Sequence, residues 1–358
     1  MARFLLRLLQ RSTTIGGTGA PSDRWHMHNS PRYLELGRFW LPRAVFAAAC
    51  AGLALAMAAS LSPLFDLLTP LVGHLSGALA VSALAIYARR APVAILTLGA
   101  VATVLAHAAV GWSRQAAMPA AQARPLTALQ HAPPFRLVTL NAWHRNHELG
   151  PMLRYLEREA ATWVVLTEFG PDKQHVLQEL KRVYPYQVSC ADVWFCSLAL
   201  LSRIPFEASG RVNAGPLDPP TVWARFRIAT GAEPITVVGT HVHRPSRNPE
   251  RHRTQLATLT SLLRRVEGAI VVAGDFNAAA ASSTLEDFMS GAGVATSACW
   301  LPSWPAWPLN LPQVALDHVM VSSELSIVRA ALGPAFGSDH LPVRADIVPG
   351  RHVTVCGE

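Results

Sequence analysis

The sequence predicts an α/β domain built on two β-sheets and set behind three transmembrane helices. Three apolar runs, 44–64, 67–87 and 91–112, contain no Lys, Arg, Asp or Glu. Each is close to the roughly 20 residues that cross a bilayer as a helix. A soluble core can hold one such helix, but three uncharged runs in succession argue for a membrane. From Phe135 onward the pattern changes to strand-like segments alternating with helix-like ones, and about 215 residues of that pattern suffice for a two-sheet core.

Charge separates the two regions. Of 358 residues, 51% are hydrophobic and 15% charged, a high apolar share for a wholly soluble protein. The formal net charge is +8, and all of it lies in residues 1–130, where 11 arginines face 3 acidic side chains. Residues 131–358 hold 20 basic and 20 acidic residues. The isoelectric point of about 9.8 therefore gives no electrostatic footprint for duplex binding by the C-terminal region.

Residues 1–43 carry seven arginines and no lysine. They form a basic segment, either a solvated tail or, through Phe4, Leu5, Leu6, Leu8 and Leu9, a membrane-surface patch. The segment is too long and interrupted for the leader of a cleaved signal peptide. In the second apolar run, His74 stands between Gly73 and Gly77, a small-xxx-small spacing that predicts close helix approach with His74 packed as a polar residue. The first connection carries only Asp66, and the second carries Arg89 and Arg90. Positive-inside reasoning puts residues 1–43 and Arg89-Arg90 in the cytoplasm, so that everything after Trp112 falls outside it.

A linker rich in Ala, Gln and Pro covers 113–132. Strands are then predicted at 135–141, 163–168, 198–202, 222–226, 235–240, 270–274, 318–321 and 343–347, from short runs of β-branched and apolar residues. Helices are predicted at 149–160, 175–183, 251–265 and 283–289. In the third of these, Leu256, Leu259, Leu262 and Leu263 share one face. Residues 350–358 are a tail. The five cysteines show no zinc spacing. Cys50 lies in an apolar run and reads as a small core residue. Cys190 and Cys196 flank a hairpin, where a disulfide and a pair of buried thiols both fit.

The chemistry-bearing residues follow the strands. Asn141, Glu168, His241, the Asp275/Asn277 pair, Asp317 and the Asp339-His340 pair each stand at a strand end, where α/β proteins commonly place their sites. Each alone has an ordinary structural explanation, as a turn cap, a solvated acid or a core histidine. Together they fit one chemistry. The oxygen donors Glu168, Asp339 and Asn141 suit Mg²⁺ or Mn²⁺. The histidines can donate to phosphate oxygens, and a carboxylate can orient or deprotonate water.

The stretches LNAW at 140–143, LTE at 166–168, GTH at 239–241, GDFN at 274–277, LDHV at 316–319 and GSDHLPV at 337–343 resemble, in order and spacing, the endonuclease/exonuclease/phosphatase superfamily. That superfamily includes pancreatic-type deoxyribonucleases, apurinic endonucleases, neutral sphingomyelinases and inositol polyphosphate 5-phosphatases. The resemblance covers residues 133–349 and extends to the bacterial membrane-tethered branch, in which hydrophobic helices precede the catalytic domain. It implies a four-layer sandwich, two face-to-face β-sheets flanked by helices, and divalent-metal phosphoester hydrolysis. It also implies an inner-membrane location with a periplasmic catalytic domain.

Carried over by position, the resemblance makes Glu168 the main metal ligand, with Asn141 and Asp339 completing the site. Asp275 would activate the attacking water, and Asn277 would hold that water or the phosphate. His241 and His340 would neutralise charge on the phosphoryl oxygens, with Asp317 fixing the His340 tautomer. Two positions depart from the family pattern. Thr167 replaces the usual Gln before the glutamate, and Trp143 stands where some relatives have a second acid, which disfavours a two-metal site. Arg244 and Arg247 are candidate phosphate-binding residues. Trp300, Trp304 and Trp307, in a proline-rich stretch, are candidates for stacking on bases or touching lipid. The substrate is then a phosphoester, in nucleic acid or of phospholipid or inositol type, and the bilayer is the other partner. A phosphodiesterase, a phosphatase or phospholipase-like hydrolase, and a catalytically silent tethered module are the three readings that the sequence carries.

Overall fold

The computed structural model describes residues 32–87, 97–99, 101–102, 133–192, 195–212, 215, 218–230, 232–297, 299–350, 352 and 354–357. The chain divides into two compact units, Met1–Leu41 and Pro42–Glu358. In the first, the described residues are helical. The second holds both sheets.

Among the described residues, thirteen strands make two mixed sheets flanked by helices. The elements are β1 Phe135–Asn141, β2 Trp163–Thr167, β3 Tyr186–Ser189, β4 Ala199–Ser202, β5 Ala208–Val212, β6 Thr221–Phe226, β7 Ile235–His241, β8 Ala269–Asp275, β9 Val294–Thr296, β10 Asp317–Ser322, β11 Leu325–Leu332, β12 Val343–Pro349 and β13 Val355–Cys356. The first sheet runs β13-β11-β12-β1-β2-β4-β3, and the second runs β5-β6-β7-β8-β10-β9. At the centre of each, one parallel pair, β1 with β2 or β7 with β8, is flanked by antiparallel neighbours. The two sheets therefore present equivalent strand ends on one side.

Side-chain alternation explains the layering. In β1, Phe135 and Leu137 enter the core between the sheets, while Val138 and Leu140 face the outer helices. In β8, Ala269, Val271 and Ala273 face the other sheet, and Ile270 and Val272 face outward. Strands buried on both faces read as continuous apolar runs, and that is how 163–166 and 270–273 appear in the sequence. Gly239 in β7 marks a close approach of the sheets: a Cβ there would lie 2.9 Å from Val165 Cγ1. Helices α3 Gly150–Glu159 and α4 His175–Leu180 cover the first sheet through Met152, Leu156, Leu177 and Leu180. Helices α5 Pro249–Leu263 and α6 Ser283–Ala292 cover the second through Leu256, Leu259, Leu285 and Phe288. Asn248 caps α5 and Ser282 caps α6, each accepting a backbone N–H three residues on.

Ahead of the sheets lie α1 Arg32–Met57 and α2 Val72–Tyr87, the latter preceded by short turns Pro63–Asp66 and Thr69–Leu71. Among the described residues two stretches, Phe39–Met57 and Leu64–Tyr87, are long and apolar enough to cross a membrane, where three were predicted. The third run, 91–112, lies almost wholly outside the described residues. Only 17% and 28% of an 18-residue window in each of these two stretches is buried, unlike helices of a soluble core. Cys50 is exposed rather than a core residue, because it faces away from the Ala49 and Leu53 contact with Leu79. Among the described residues, a Cβ added to Gly73 or Gly77 would meet nothing within 4 Å. The close approach is instead Gly52 against Leu75, 3.0 Å from the position of an added Cβ.

Both cysteine pairs of the sandwich are oxidised: Cys190 with Cys196, and Cys299 with Cys356. The second pair ties β13 to the stretch after β9, across 57 residues of chain.

Candidate active site

The site stands at the shared strand ends. Asn141 ends β1, and Glu168 follows β2. His241 and Asp275 end the parallel pair β7 and β8 in direct register, and Asp317 opens β10 opposite Asp275. Asp339 and His340 precede β12. Antiparallel strands that begin here thus add their residues to parallel strands that finish here.

Local backbone geometry turns these side chains inward. Gly274 has φ 147°, and a Cβ at that position would lie 1.9 Å from the Thr240 carbonyl oxygen. Only glycine can precede Asp275 at this contact. Trp143, Glu168 and Asn277 have φ of 53°, 49° and 49°, the left-handed region that non-glycine residues seldom adopt. At Glu168 this conformation breaks the strand and sends the carboxylate into the site. At Asn277 it folds the chain back so that its N–H donates to Asp275 Oδ1 at 2.9 Å, while its Nδ2 donates to the Val242 carbonyl at 3.0 Å.

Asn141 joins the two acids. Its Nδ2 donates to Glu168 Oε1 at 3.2 Å and to Asp275 Oδ2 at 3.0 Å, and its Oδ1 accepts from the Trp143 N–H at 2.8 Å. In this arrangement Asn141 positions both carboxylates through its amide nitrogen. Ser338 Oγ donates to the Asn141 carbonyl at 2.7 Å and accepts from the His340 N–H at 3.1 Å, linking the GSDH stretch to β1. His340 Nδ1 lies 2.6 Å from Asp317 Oδ2, and its Nε2 is 3.9 Å from Asp275 Oδ2. His241 Nε2 is 3.7 Å from the same oxygen. Both gaps exceed hydrogen-bond range and suit a bridging water or phosphoryl oxygen.

The electrostatics differ sharply among the acids. Burial alone would raise Glu168, but the His241 charge, the His144 ring and N–H and the Asn141 amide outweigh it and hold the carboxyl well below the usual range. Burial pushes Asp275 up, and the charges of His340 and His241 only partly oppose it, while Asp317 pushes the same way. Burial likewise raises Asp339. For His340, burial acts downward, but Asp317, through charge and hydrogen bond, lifts it to about 9. Glu168 is thus held ionised, Asp275 and Asp339 are biased toward accepting a proton, and the His340 imidazole is kept charged.

The donor set fits a hard divalent ion. Glu168, His241 and Asp275 offer ligand atoms within 4.8 Å of one another, as do Asp275, Asp317 and His340. Among the described residues, Asp339 Oδ1 is buried without a hydrogen-bond partner, an orphan that a cation would satisfy. Asp339 is in neither close group of donors, although its charge is coupled to Glu168 and His340.

The other candidates separate. Arg244 Nη2 donates to Glu168 Oε1 at 3.1 Å and lines the cleft above the site. Arg247 does not reach the site: its backbone closes a turn on the Arg244 carbonyl at 3.1 Å and its side chain is exposed. Trp307 packs on Trp143, with ring centroids 5.4 Å apart, and Trp304 lines the cleft. Two contributors escaped the sequence reading. His144 places Nδ1 2.7 Å and its backbone N 3.1 Å from Glu168 Oε2, and its only signal was adjacency to LNAW. Lys173 is fully buried and donates to the His144 carbonyl at 3.2 Å and to Asp172 at 2.7 Å. A buried lysine has no sequence signature.

The sequence profile of the Endonuclease/Exonuclease/phosphatase family matches residues 138–340, more than half of the chain. The chain belongs to this family. Solved structures agree on the fold. An endonuclease/exonuclease/phosphatase from Beutenbergia cavernae DSM 12333 has 17% identity and TM-score 0.50, over 61% of this chain and 72% of that one. One from Bacteroides vulgatus has 16% identity and TM-score 0.50, over 60% and 99%. Truncated Caenorhabditis elegans TDP2 has 13% identity and TM-score 0.50, over 60% and 98%. No curated protein sequence matches the chain. Members of the endonuclease/exonuclease/phosphatase family are phosphoester hydrolases, typically dependent on divalent metal.

Proposed function

We propose that the chain is a membrane-anchored, divalent-metal-dependent phosphodiesterase that acts outside the cytoplasm. The observation that carries this reading is the convergence of Glu168, Asp275 and the Asp317–His340 pair on one small space, with Asn141 bonded to the first two. Glu168 and Asp339, with Asp275 and His241 beside them, would hold Mg²⁺ or Mn²⁺, which when bound supplies positive charge against the phosphoryl oxygens. Asp275 Oδ2 takes the proton of the attacking water, a role favoured by the burial that raises its affinity for protons. Asn277 holds Asp275 in place through its N–H. His340, kept charged by Asp317, donates from Nε2 to a phosphoryl oxygen, and His241 opposes charge from the other side of Asp275. Arg244 stands at the cleft for the substrate phosphate.

Location outside the cytoplasm is supported by the arginine distribution and by the two disulfides, since such bonds persist in oxidising compartments. A reporter active only outside the cytoplasm, fused after residue 130, should be active, and silence would reverse the topology. For the chemistry, the full chain is given bis(p-nitrophenyl) phosphate, p-nitrophenyl phosphate and plasmid DNA, each with Mg²⁺ and with EDTA. Mg²⁺-dependent cleavage of a diester is the expected result. No turnover on any phosphoester would favour the silent module.

A further inference from the structure

Residues 44–88 contain a single charged side chain, Asp66, and it is directed at the catalytic sandwich. Asp66 is 9% exposed. Its carboxylate accepts from Ser282 Oγ at 2.6 Å, Ser283 N at 3.0 Å, Thr284 Oγ1 at 2.7 Å and Thr284 N at 3.3 Å. These groups form the first turn of α6, whose exposed N–H groups and dipole favour an anion. A second tie lies in the first turn of α2, where His74 Nε2 meets Gln313 Oε1.

The latch places the connector between the two apolar helices over the active site. A cleft of about 310 Å³ has Leu67, Pro70 and Leu71 on one side, with Arg244, Asn277 and His340 among its other lining residues. Both rims are apolar and open. On the connector side Leu61, Leu64 and Leu71 are 80%, 61% and 42% exposed, and in the stretch facing it Trp307, Leu309 and Leu311 are 56%, 75% and 59% exposed. The Trp-bearing stretch is fixed to the catalytic segment, for the Ala306 N–H donates to the Asp339 carbonyl at 2.7 Å. A reaction cleft flanked on both sides by exposed leucines and a half-exposed tryptophan, beside the two apolar helices, is built to open where lipid and water meet.

We propose that the 62–71 connector is a fixed wall of the substrate cleft, latched by Asp66, and that it selects an amphiphilic phosphoester presented by the bilayer, its apolar chain lying along Leu67, Pro70 and Leu71. This deepens the hydrolase reading and rests on it for the phosphoryl end alone. The wall contributes apolar contact beside the phosphate, so affinity should grow with the length of an attached alkyl chain. Each methylene that becomes buried is worth up to about a fourfold gain.

The test uses the full chain in lipid nanodiscs with Mg²⁺. Binding of the soluble series methyl, butyl and hexyl phosphate is measured by calorimetry against empty nanodiscs. Wild type should bind hexyl phosphate at least tenfold tighter than methyl phosphate. Leu67→Asp should flatten that dependence, and Asp66→Ala should flatten it while speeding hydrogen exchange at the Ser283 and Thr284 amides. Asp66→Asn, which retains an accepting oxygen, should fall between. No chain-length dependence in wild type, or an undiminished one in Leu67→Asp, overturns the proposal, and the latter variant leaves the latch intact should Asp66→Ala not fold. Binding reads the wall without turnover. A slope without hydrolysis would overturn the hydrolase reading alone, and hydrolysis without a slope would overturn the wall alone.

Discussion

The sandwich and the apolar helices ahead of it bury their side chains by different means. In the sandwich, Leu137, Val165, Val237 and Val271 are fully enclosed by protein, and the core closes between two sheets that the chain itself supplies. In the helices, Val81 and Leu84 are 69% and 46% exposed, and among the described residues the buried cluster they share gathers around Leu53 and Leu79. One region encloses its own apolar side chains, whereas the other leaves many of them exposed. The active site belongs to the first region, yet its cleft is walled partly by the second.

The largest expected effect removes chemistry while leaving the sandwich intact. Asp275→Asn and His340→Ala should each lower diester turnover by about two to four orders of magnitude, the weight of a proton-transfer or charge-stabilising group. Asn in place of Asp275 keeps the shape and the Asn277 contact, so far-UV circular dichroism should match wild type. Turnover near wild type in both variants would show that the residues gathered at the strand ends do not perform the reaction.

Next in size is the contrast in packing itself. Leu166→Ala empties a fully buried position between β2 and its helices and should cost about 2–5 kcal/mol. Val81→Ala removes a side chain that protein barely covers and should change the denaturant midpoint of the sandwich by no more than about 0.5 kcal/mol equivalent. Equal losses would mean that the helices are packed against protein after all.

Legibility in the sequence followed the same division. Strands with both faces buried were plain as unbroken β-branched runs, and β1 was bounded as observed. Edge and hairpin strands were not. Tyr186–Ser189, Ala208–Val212 and Val294–Thr296 are short and lie at or next to a sheet edge, so they lack the two-sided burial that writes a pattern. Leu325–Leu332 was missed for another reason: Arg329, Ala330 and Ala331 favour neither period, and a register shift after Ile327 breaks the alternation. At the site, the residues with motif neighbours converge, whereas His144 contributes through a left-handed turn at Trp143 that no propensity announces. Asp66 was read only as a loop charge, because its partners lie more than 200 residues away.

The smallest effect sharpens the comparison at the buried end. His340 is nearly enclosed and is raised to about 9, mainly by Asp317 acting against burial. A histidine whose folded value exceeds its ordinary value of about 6.5 binds its proton more tightly in the native state. Its contribution is therefore complete below about pH 6.5 and is lost as pH rises through about 9. Urea midpoints of the EDTA-treated protein should fall across that window, and Asp317→Asn should flatten the fall because it removes the largest upward influence on the ring. His74, exposed at the start of α2, offers the control: His74→Ala should leave the window unchanged. A wild-type midpoint that does not decline between those limits would mean that the imidazole is neutral when buried, and the charge assigned to it at the phosphoryl oxygen would have to come from His241 or Arg244.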